Sequence, residues 1–352
     1  MLLAIINDTH LGIRNSSDVF LDNAAKFYTK TFFPFLMERG IKQVLHLGDY
    51  YDNRKAINIK ALNHNRKHFL EPMRELGISM DIIPGNHDTF YKDTNTPNSL
   101  KELLGFFINE VAIIEKPTVL EYGSMKTALV PWMAKDNWEE SYNFIKNCKA
   151  DILGGHFDIK GFEMLRGIKS DHGLDAKVFS RFDMVLSGHY HTKSSQDNIH
   201  YLGSQMEFFW SDCNDKKYFH VIDTETREMW AIQNPHTLFK KVVYNDTKYD
   251  YNRIPDFSGH FVKVVVVNKT KPQMFEAFID KLQDQDLLDL KIAENFDQMI
   301  GYDEQIELAV DDTQTLLDGY IDASETNLDK PHLKQKMRDL YTEAQSIEIL
   351  WA

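Results

Sequence analysis

Apolar residues along this chain come in short, nearly unbroken runs, and five of those runs are followed within three residues by Asp, Asn or His. They are Leu2 to Ile6, Val44 to Leu47, Met80 to Ile83, Asp151 to Leu153 and Met184 to Leu186. Short apolar runs bounded by Gly or Pro read as buried strands. Between them, helical periods fill Val19 to Arg39, Asn58 to Leu76, Asn98 to Phe107 and Asn137 to Cys148. Residues 1–235 therefore read as one α/β catalytic domain. In open α/β sheets, ligands bind outside the carboxyl ends of the strands. Five strands that end in polar residues would bring those residues to one rim.

Past Asn234-Pro235 the pattern changes. Phe261 to Asn268 reads as a strand, Pro272 to Gln285 as an amphipathic helix and Leu287 to Glu294 as another strand, with Ile306 to Val310 as a candidate third. This predicts a small α+β domain over 236–310. Residues 311–330 are acidic and polar, as in a linker. Pro331 suits the start of a last helix over 331–352. Leu333, Met337, Leu340, Tyr341, Ala344 and Ile347 fall on one face of it.

Composition sets bounds on the class. The 352 residues are 43% hydrophobic, enough for a large core. No run nears the ~20 residues a membrane helix needs, and the first apolar run passes straight into Asn7-Asp8, unlike a leader. Cys148 and Cys213 are too few and too far apart for a disulfide framework. A soluble cytoplasmic chain is expected. The net charge of −13 argues against a uniformly basic nucleic-acid binder. It is unevenly spread, however. Residues 1–235 carry 31 acidic and 27 basic side chains, whereas residues 292–329 hold eleven acids and no Lys or Arg.

The chemistry lies in the motifs after the five runs: Asp8-Thr9-His10, Gly48-Asp49-Tyr50-Tyr51-Asp52, Gly85-Asn86-His87-Asp88, Gly154-Gly155-His156 and Gly188-His189-Tyr190-His191. Asp, Asn and His offer hard oxygen and imidazole donors, which suit Mn²⁺, Fe or Zn²⁺ and not the thiophilic metals. Asp49 could bridge two cations about 3.5–4 Å apart, an arrangement that clamps the attacking and leaving oxygens of a displacement at phosphorus. His87 could protonate the leaving oxygen, because imidazole titrates near neutral pH. Asp88 could orient that ring. Any one motif is weakly specific. All five in order, each after an apolar run, make a metal site the expected reading and an inert scaffold the poorer one.

Together the motifs resemble the calcineurin-like metallophosphoesterases. Asp8-Thr9-His10-Leu11-Gly12 is similar more narrowly to the SbcD-type nucleases of DNA double-strand-break repair, as are Tyr201-Leu202-Gly203-Ser204-Gln205 and the stretch from Asn214 to Thr224. Phage members of that group look alike in Asp52-Asn53-Arg54-Lys55-Ala56-Ile57, Pro131-Trp132-Met133 and Arg166-Gly167-Ile168-Lys169-Ser170. The resemblance covers residues 1–240 well and the rest in outline. It implies a two-sheet β-sandwich core flanked by helices, with a small α+β cap and a C-terminal helix. It implies two divalent cations, Mn²⁺ foremost. One would be held by Asp8, His10, Asp49 and His191, the other by Asp49, Asn86, His156 and His189, with His87 as the non-ligand acid. Many relatives carry His at the position of Asp52, which is therefore assigned to support behind the ligands. The implied partners are DNA, a coiled-coil ATPase of the SbcC type docking on the last helix through Leu333, Met337, Leu340 and Tyr341, and a second copy of the chain within a heterotetramer.

The expected activity is exonuclease action on double-stranded ends and endonuclease action on single strands. A phosphatase of the same superfamily is the competing function. Phosphoprotein phosphatases there show Asp-Arg-Gly after the second motif and Glu after Gly-Asn-His, where this chain has Asp52-Asn53-Arg54 and Asp88. Arg54, Lys55, Lys60, Arg66, Lys169 and Ser204 are candidate DNA contacts, against the alternative of ordinary solvated surface. His46 reads as a strand histidine. Trp132 and Trp138 read as packing residues, and Phe208, Phe209 and Trp210 read as packing residues against the alternative that they stack on bases at the site rim.

Overall fold

The computed structural model of the chain describes residues 1–107, 109–165, 168–294, 321 and 329–337. Compact contacts divide it into two units, residues 1–239 and 240–352. The five expected strands form, each within about two residues of its predicted ends at the N-terminal side: β1 (Leu2–Ile6), β2 (Gln43–His46) and β3 (Ser79–Ile82), then β7 (Ile152–His156) and β10 (Met184–Gly188). Between β3 and β7 lie β4 (Val111–Ile113), β5 (Thr118–Tyr122) and β6 (Met125–Val130). A two-stranded ribbon, β8 (Glu163–Leu165) with β9 (Ile168–Lys169), precedes β10. It is followed by β11 (Ser194–Gln196), β12 (Ile199–Tyr201), β13 (Tyr218–Asp223) and β14 (Met229–Gln233).

These strands build two six-stranded sheets, in the orders β14-β13-β1-β2-β3-β4 and β11-β12-β10-β7-β6-β5. In the first, β1 through β4 run parallel. In the second, β6, β7, β10 and β12 run parallel. All five motifs therefore stand at carboxyl ends of parallel strands, where the backbone leaves the sheet and side chains are free to converge.

Alternation along the strands explains how the sheets stack. Leu3, Ile5 and Leu45 of the first sheet share one core with Leu129, Ile152 and Leu186 of the second. Residues of opposite parity, Ala128, Val130, Leu153 and Val185, join Ile145, Phe157 and Phe179 in a core on the outer face of the second sheet. Gly154 permits the close approach of the sheets: a Cβ there would lie 2.9 Å from Leu129 and 3.1 Å from Leu47. The outer face of the first sheet meets an aromatic layer, in which Phe27 and Phe32 pack on Phe219 at 6.0 and 5.2 Å.

The helices expected over 19–39 and 58–76 are present, each with a wide π-helical turn, at Tyr28–Phe32 and Arg66–Leu70. Both turns lie just before a proline, Pro34 and Pro72. An interior proline removes a donor and crowds the carbonyl four residues back, and a π turn relieves that crowding without ending the helix.

In the second unit, β15 (Phe239–Asn245), β16 (Phe261–Asn268) and β17 (Asp289–Ala293) form a three-stranded sheet. The helix Pro272–Gln283 links the parallel pair β16 and β17. Its Phe275, Phe278, Ile279 and Leu282 bury against Tyr244, Val262 and Val264. The third strand of this sheet is thus β15, which precedes the elements read from sequence. The strand expected at Ile306 to Val310 lies outside the described residues, as does most of the acidic stretch. Residues 330–337 are helical, with Leu333 and Met337 half-buried. Leu340 and Tyr341 lie outside the described residues. Among the described residues no helix is long and apolar enough to cross a membrane.

Candidate metal centre

The rim gathers two clusters that meet at one carboxylate. In the first, Asp8, His10 and His191 bring donor atoms within 4.8 Å of one another, and in the second Asp49, His156 and His189 do so. His10 Nε2 lies 3.0 Å from His191 Nε2. Asn86 Oδ1 lies 2.9 Å from His156 Nε2 and 3.0 Å from His189 Nδ1. Asp49 faces both groups, with Oδ2 3.2 Å from His156 Nε2 and 3.8 Å from His10 Nε2. Its other oxygen is fixed by the amide of His87 at 2.8 Å.

The donor set fits divalent cations. Two nitrogens each about 2.1 Å from a cation at a right angle stand roughly 3 Å apart, which is the separation between His10 Nε2 and His191 Nε2. His10 Nδ1 is buried and faces Asp52 Oδ1 at 3.3 Å. The seven side chains expected as ligands, Asp8, His10, Asp49, Asn86, His156, His189 and His191, are all in this group.

The backbone is bent to put them there. Asp8, His10, Asp49 and His189 have φ of 47°, 42°, 55° and 88°, in the left-handed region that non-glycine residues seldom occupy. Each sits where a strand has just ended and must turn inward. Gly85 makes room for the bridge, since a Cβ there would lie 2.2 Å from Asp49 Oδ1.

Charges balance inside this buried group. Burial alone would lower the His10 imidazole, but Asp52, Asp49 and Asp8 outweigh it and raise its pKa to about 9. The same contest, with Asp49 and Asp8 as the carboxylates, raises His156 to about 9. Burial pushes Asp49 up, yet His156, His87 and His10 hold it well below the usual carboxylate range. Burial together with the nearby His10 keeps His191 well below an ordinary histidine.

A pH dependence follows. Because the folded pKa values of His10 and His156 lie above 6.5, their stabilisation of the cation-free protein is complete below pH 6.5. It is lost as pH rises through about 9. Cations require neutral imidazole, so their binding tightens over the same window. The melting temperature of EDTA-treated protein is expected to fall between pH 6.5 and 9, and that of Mn²⁺-saturated protein to resist the fall. A flat or rising profile for the EDTA-treated sample would contradict this account.

His87 sits beside the clusters, its ring 4.7 Å from that of His10 in an edge-to-face contact. Its Nδ1 donates to the Asp52 carbonyl at 2.6 Å. The expectation that Asp88 orients the ring is corrected. The Asp88 carboxylate instead accepts from the amides of Tyr50, Tyr51 and Gly85 at 3.0, 3.1 and 2.9 Å, and so pins the second motif to the third. Burial and the neighbouring Asp49 carry its pKa to about 7. Asp52 serves both histidines, His87 through its carbonyl and His10 through its side chain.

The candidate DNA contacts fare unevenly. Ser204 is corrected: it is buried, and its hydroxyl donates to the Met206 carbonyl at 2.8 Å. Lys60 pairs with Asp18 at 3.0 Å and Arg66 with Glu71 at 3.6 Å. Lys55 and Lys169 are exposed and Arg54 is half-buried. His46 is buried in its strand, 3.1 Å from the Thr9 hydroxyl, and burial lowers it to about 3. Trp132 packs its ring 5.3 Å from that of His189, whereas Trp138 is 43% exposed and departs from the packing expectation. Phe208 and Trp210 are buried, and half-buried Phe209 lies parallel to the His191 ring at 6.1 Å with Arg14 over it at 5.1 Å.

Sequence reasoning missed the braces behind the ligands. Gln205 accepts from the Asn7 amide at 3.3 Å and donates to the Asp8 carbonyl at 3.2 Å. Asn7 Nδ2 donates to the Gly203 carbonyl at 3.0 Å. Both residues adjoin motifs already singled out, and a polar side chain beside a ligand was the available signal.

Two parallel-strand rims closing on paired His and Asp clusters define a phosphoesterase centre. The sequence profile of the calcineurin-like phosphoesterases matches residues 1–193, and the chain belongs to that family. Over 348 residues it is 31% identical to "Exonuclease subunit 1" of Enterobacteria phage T4, spanning 98% of this chain and 99% of that protein. The SbcD component of the SbcCD nuclease of Staphylococcus epidermidis is 26% identical over 256 residues, 63% of this chain and 66% of the other. Among solved structures, an archaeal phosphodiesterase aligns over 66% of this chain and 100% of its own, at 15% identity and a TM-score of 0.36.

Proposed function

We propose that this chain is the nuclease subunit of a DNA-end-processing complex, a two-cation phosphodiesterase that digests double-stranded ends and cuts single strands. The observation that carries the reading is the pair of histidine–carboxylate clusters meeting at Asp49, with His87 held beside them. Similarity to an exonuclease subunit along nearly the whole of both chains supports DNA as the substrate. Asp8, His10, Asp49 and His191 would hold one Mn²⁺, and Asp49, Asn86, His156 and His189 the other. When bound, such a pair neutralises a phosphodiester and activates water against it.

The chain's own groups supply the rest. A carbonyl only accepts, so His87 Nδ1 carries the hydrogen of its bond to Asp52, and Nε2 is left to deliver a proton to the departing oxygen. Asp88 and Gly85 keep the Asp49 and His87 loops in register. The partners proposed are a coiled-coil ATPase on the last helix and a second copy of this chain. Large hydrophobics left open on the helical segments 59–75 and 99–107 support the second copy: Ile59 is 81% exposed and Phe106 86%.

Linear duplex DNA and p-nitrophenyl phosphate, each offered with Mn²⁺ or with EDTA, test the reading. Mn²⁺-dependent release of nucleotides, with the monoester left intact, is expected. Hydrolysis of the monoester without any attack on DNA would favour the phosphatase function instead.

A further inference from the structure

One buried cation in the first unit has no part in the chemistry above. Lys217 stands just before β13, is 4% exposed, and spends its ammonium on three acceptors. These are Asp212 Oδ1 at 2.6 Å, Asp215 Oδ2 at 2.9 Å and the backbone carbonyl of His191 at 3.0 Å. An ammonium has three hydrogens, so the group is saturated. The other oxygen of Asp212 accepts from the amides of Phe208 and Phe209 at 2.8 and 2.9 Å.

The topology gives this arrangement its meaning. His191 follows β10 of the second sheet, beyond the last strand residue and outside the ladder, where its carbonyl accepts from the Ser204 amide at 3.0 Å as well as from Lys217. β13 belongs to the first sheet and runs antiparallel to β1, with Ile5 opposite His220. The start of β13 therefore lies beside the end of β1, where Asp8 and His10 begin. A buried ion pair is a poor way to stabilise a fold, because desolvation offsets most of the attraction. It is a good way to fix one atom relative to another. We infer that Lys217 is a positioning residue for His191, fixing the ligand loop of the second sheet to the rim of the first, which carries Asp8 and His10.

The inference rests on the two-cation reading of the site, and the test separates the two. Mn²⁺ titration of the unaltered protein by calorimetry comes first, and two binding steps are expected. A single step would remove the reading and the inference with it. Lys217→Met alone would leave Asp212 buried without its partner, so the informative variant is Lys217→Met with Asp212→Asn. Asparagine keeps an oxygen for the Phe208 and Phe209 amides while the ammonium link to His191 is cut and the Ser204 amide alone remains on that carbonyl. The double variant, melted in EDTA, is expected within a few degrees of the unaltered protein. One Mn²⁺ step should weaken by about 10–100-fold, the usual effect of losing a group that orients a ligand, while the other stays unchanged. Excess Mn²⁺ should then restore turnover. Two unchanged steps, or two steps weakened alike, would overturn the inference.

Discussion

Asp49→Asn is expected to abolish hydrolysis and to release both cations. The substitution keeps the size of the side chain and the oxygen that receives the His87 amide at 2.8 Å. It turns an NH₂ toward His156 Nε2 and His10 Nε2, which now face an oxygen at 3.2 and 3.8 Å. The group lost is the one carboxylate common to the two clusters, so each loses a negative charge and only Asp8 remains, on one side. Residues that act as a unit fail together, and the loss of DNA hydrolysis should be on the order of 10⁴-fold or more. Calorimetric titration with Mn²⁺ provides the check on binding. A variant that retained one cation at the original affinity would show that Asp49 serves a single site.

His87→Asn should separate proton delivery from metal holding. His87 is tethered through Nδ1 to the Asp52 carbonyl, with its ring against His10, a placement that leaves one nitrogen for the substrate. Losing a positioned acid costs typically 10²–10⁴-fold. The variant should therefore bind two Mn²⁺ as before and turn over DNA slower by about that factor. His189→Asn offers the contrast, since its ring shares Asn86 Oδ1 with His156, and it should lose cation and activity together. His10, Asp49 and His87 also lie close enough to hold an ion. An emptied site in His87→Asn would move His87 from acid to ligand.

Much of this architecture could be read in advance because strand ends carry their own signature. Val44 to Leu47 and Met80 to Ile83 are apolar apart from His46 and Asp81 because both faces of their sheet are covered, and Gly48 and Pro84 mark where each run ends. The ligands follow at once, so pattern and chemistry were legible together. Asp88 was misread for a physical reason. Adjacency to His87 suggested a contact, but the turn aims the carboxylate back at three amides that the bend leaves unpaired. The cross-fold bonds of Lys217 and Gln205 left no trace in the sequence beyond a polar side chain next to a motif. Their partners lie 26 and about 197 residues away, and no local period records a bond of that span. β15 was missed because two adjacent lysines interrupt its alternation.

The left-handed backbone at Asp8, His10, Asp49 and His189 also bears on how this protein would change under selection. An L-residue in that conformation gives up roughly 1–2 kcal/mol, and glycine gives up little of it. A laboratory lineage chosen only for heat resistance, with no demand on turnover, could relieve that backbone strain by placing glycine or asparagine at those four positions wherever the relief exceeds the ion pairs of His10, His156 and Asp49 given up. Such a lineage would converge on a sturdy sandwich unable to hold its ions. Durability and catalysis are set against each other at the same four α-carbons, so a hardier working enzyme has to be sought elsewhere in the chain.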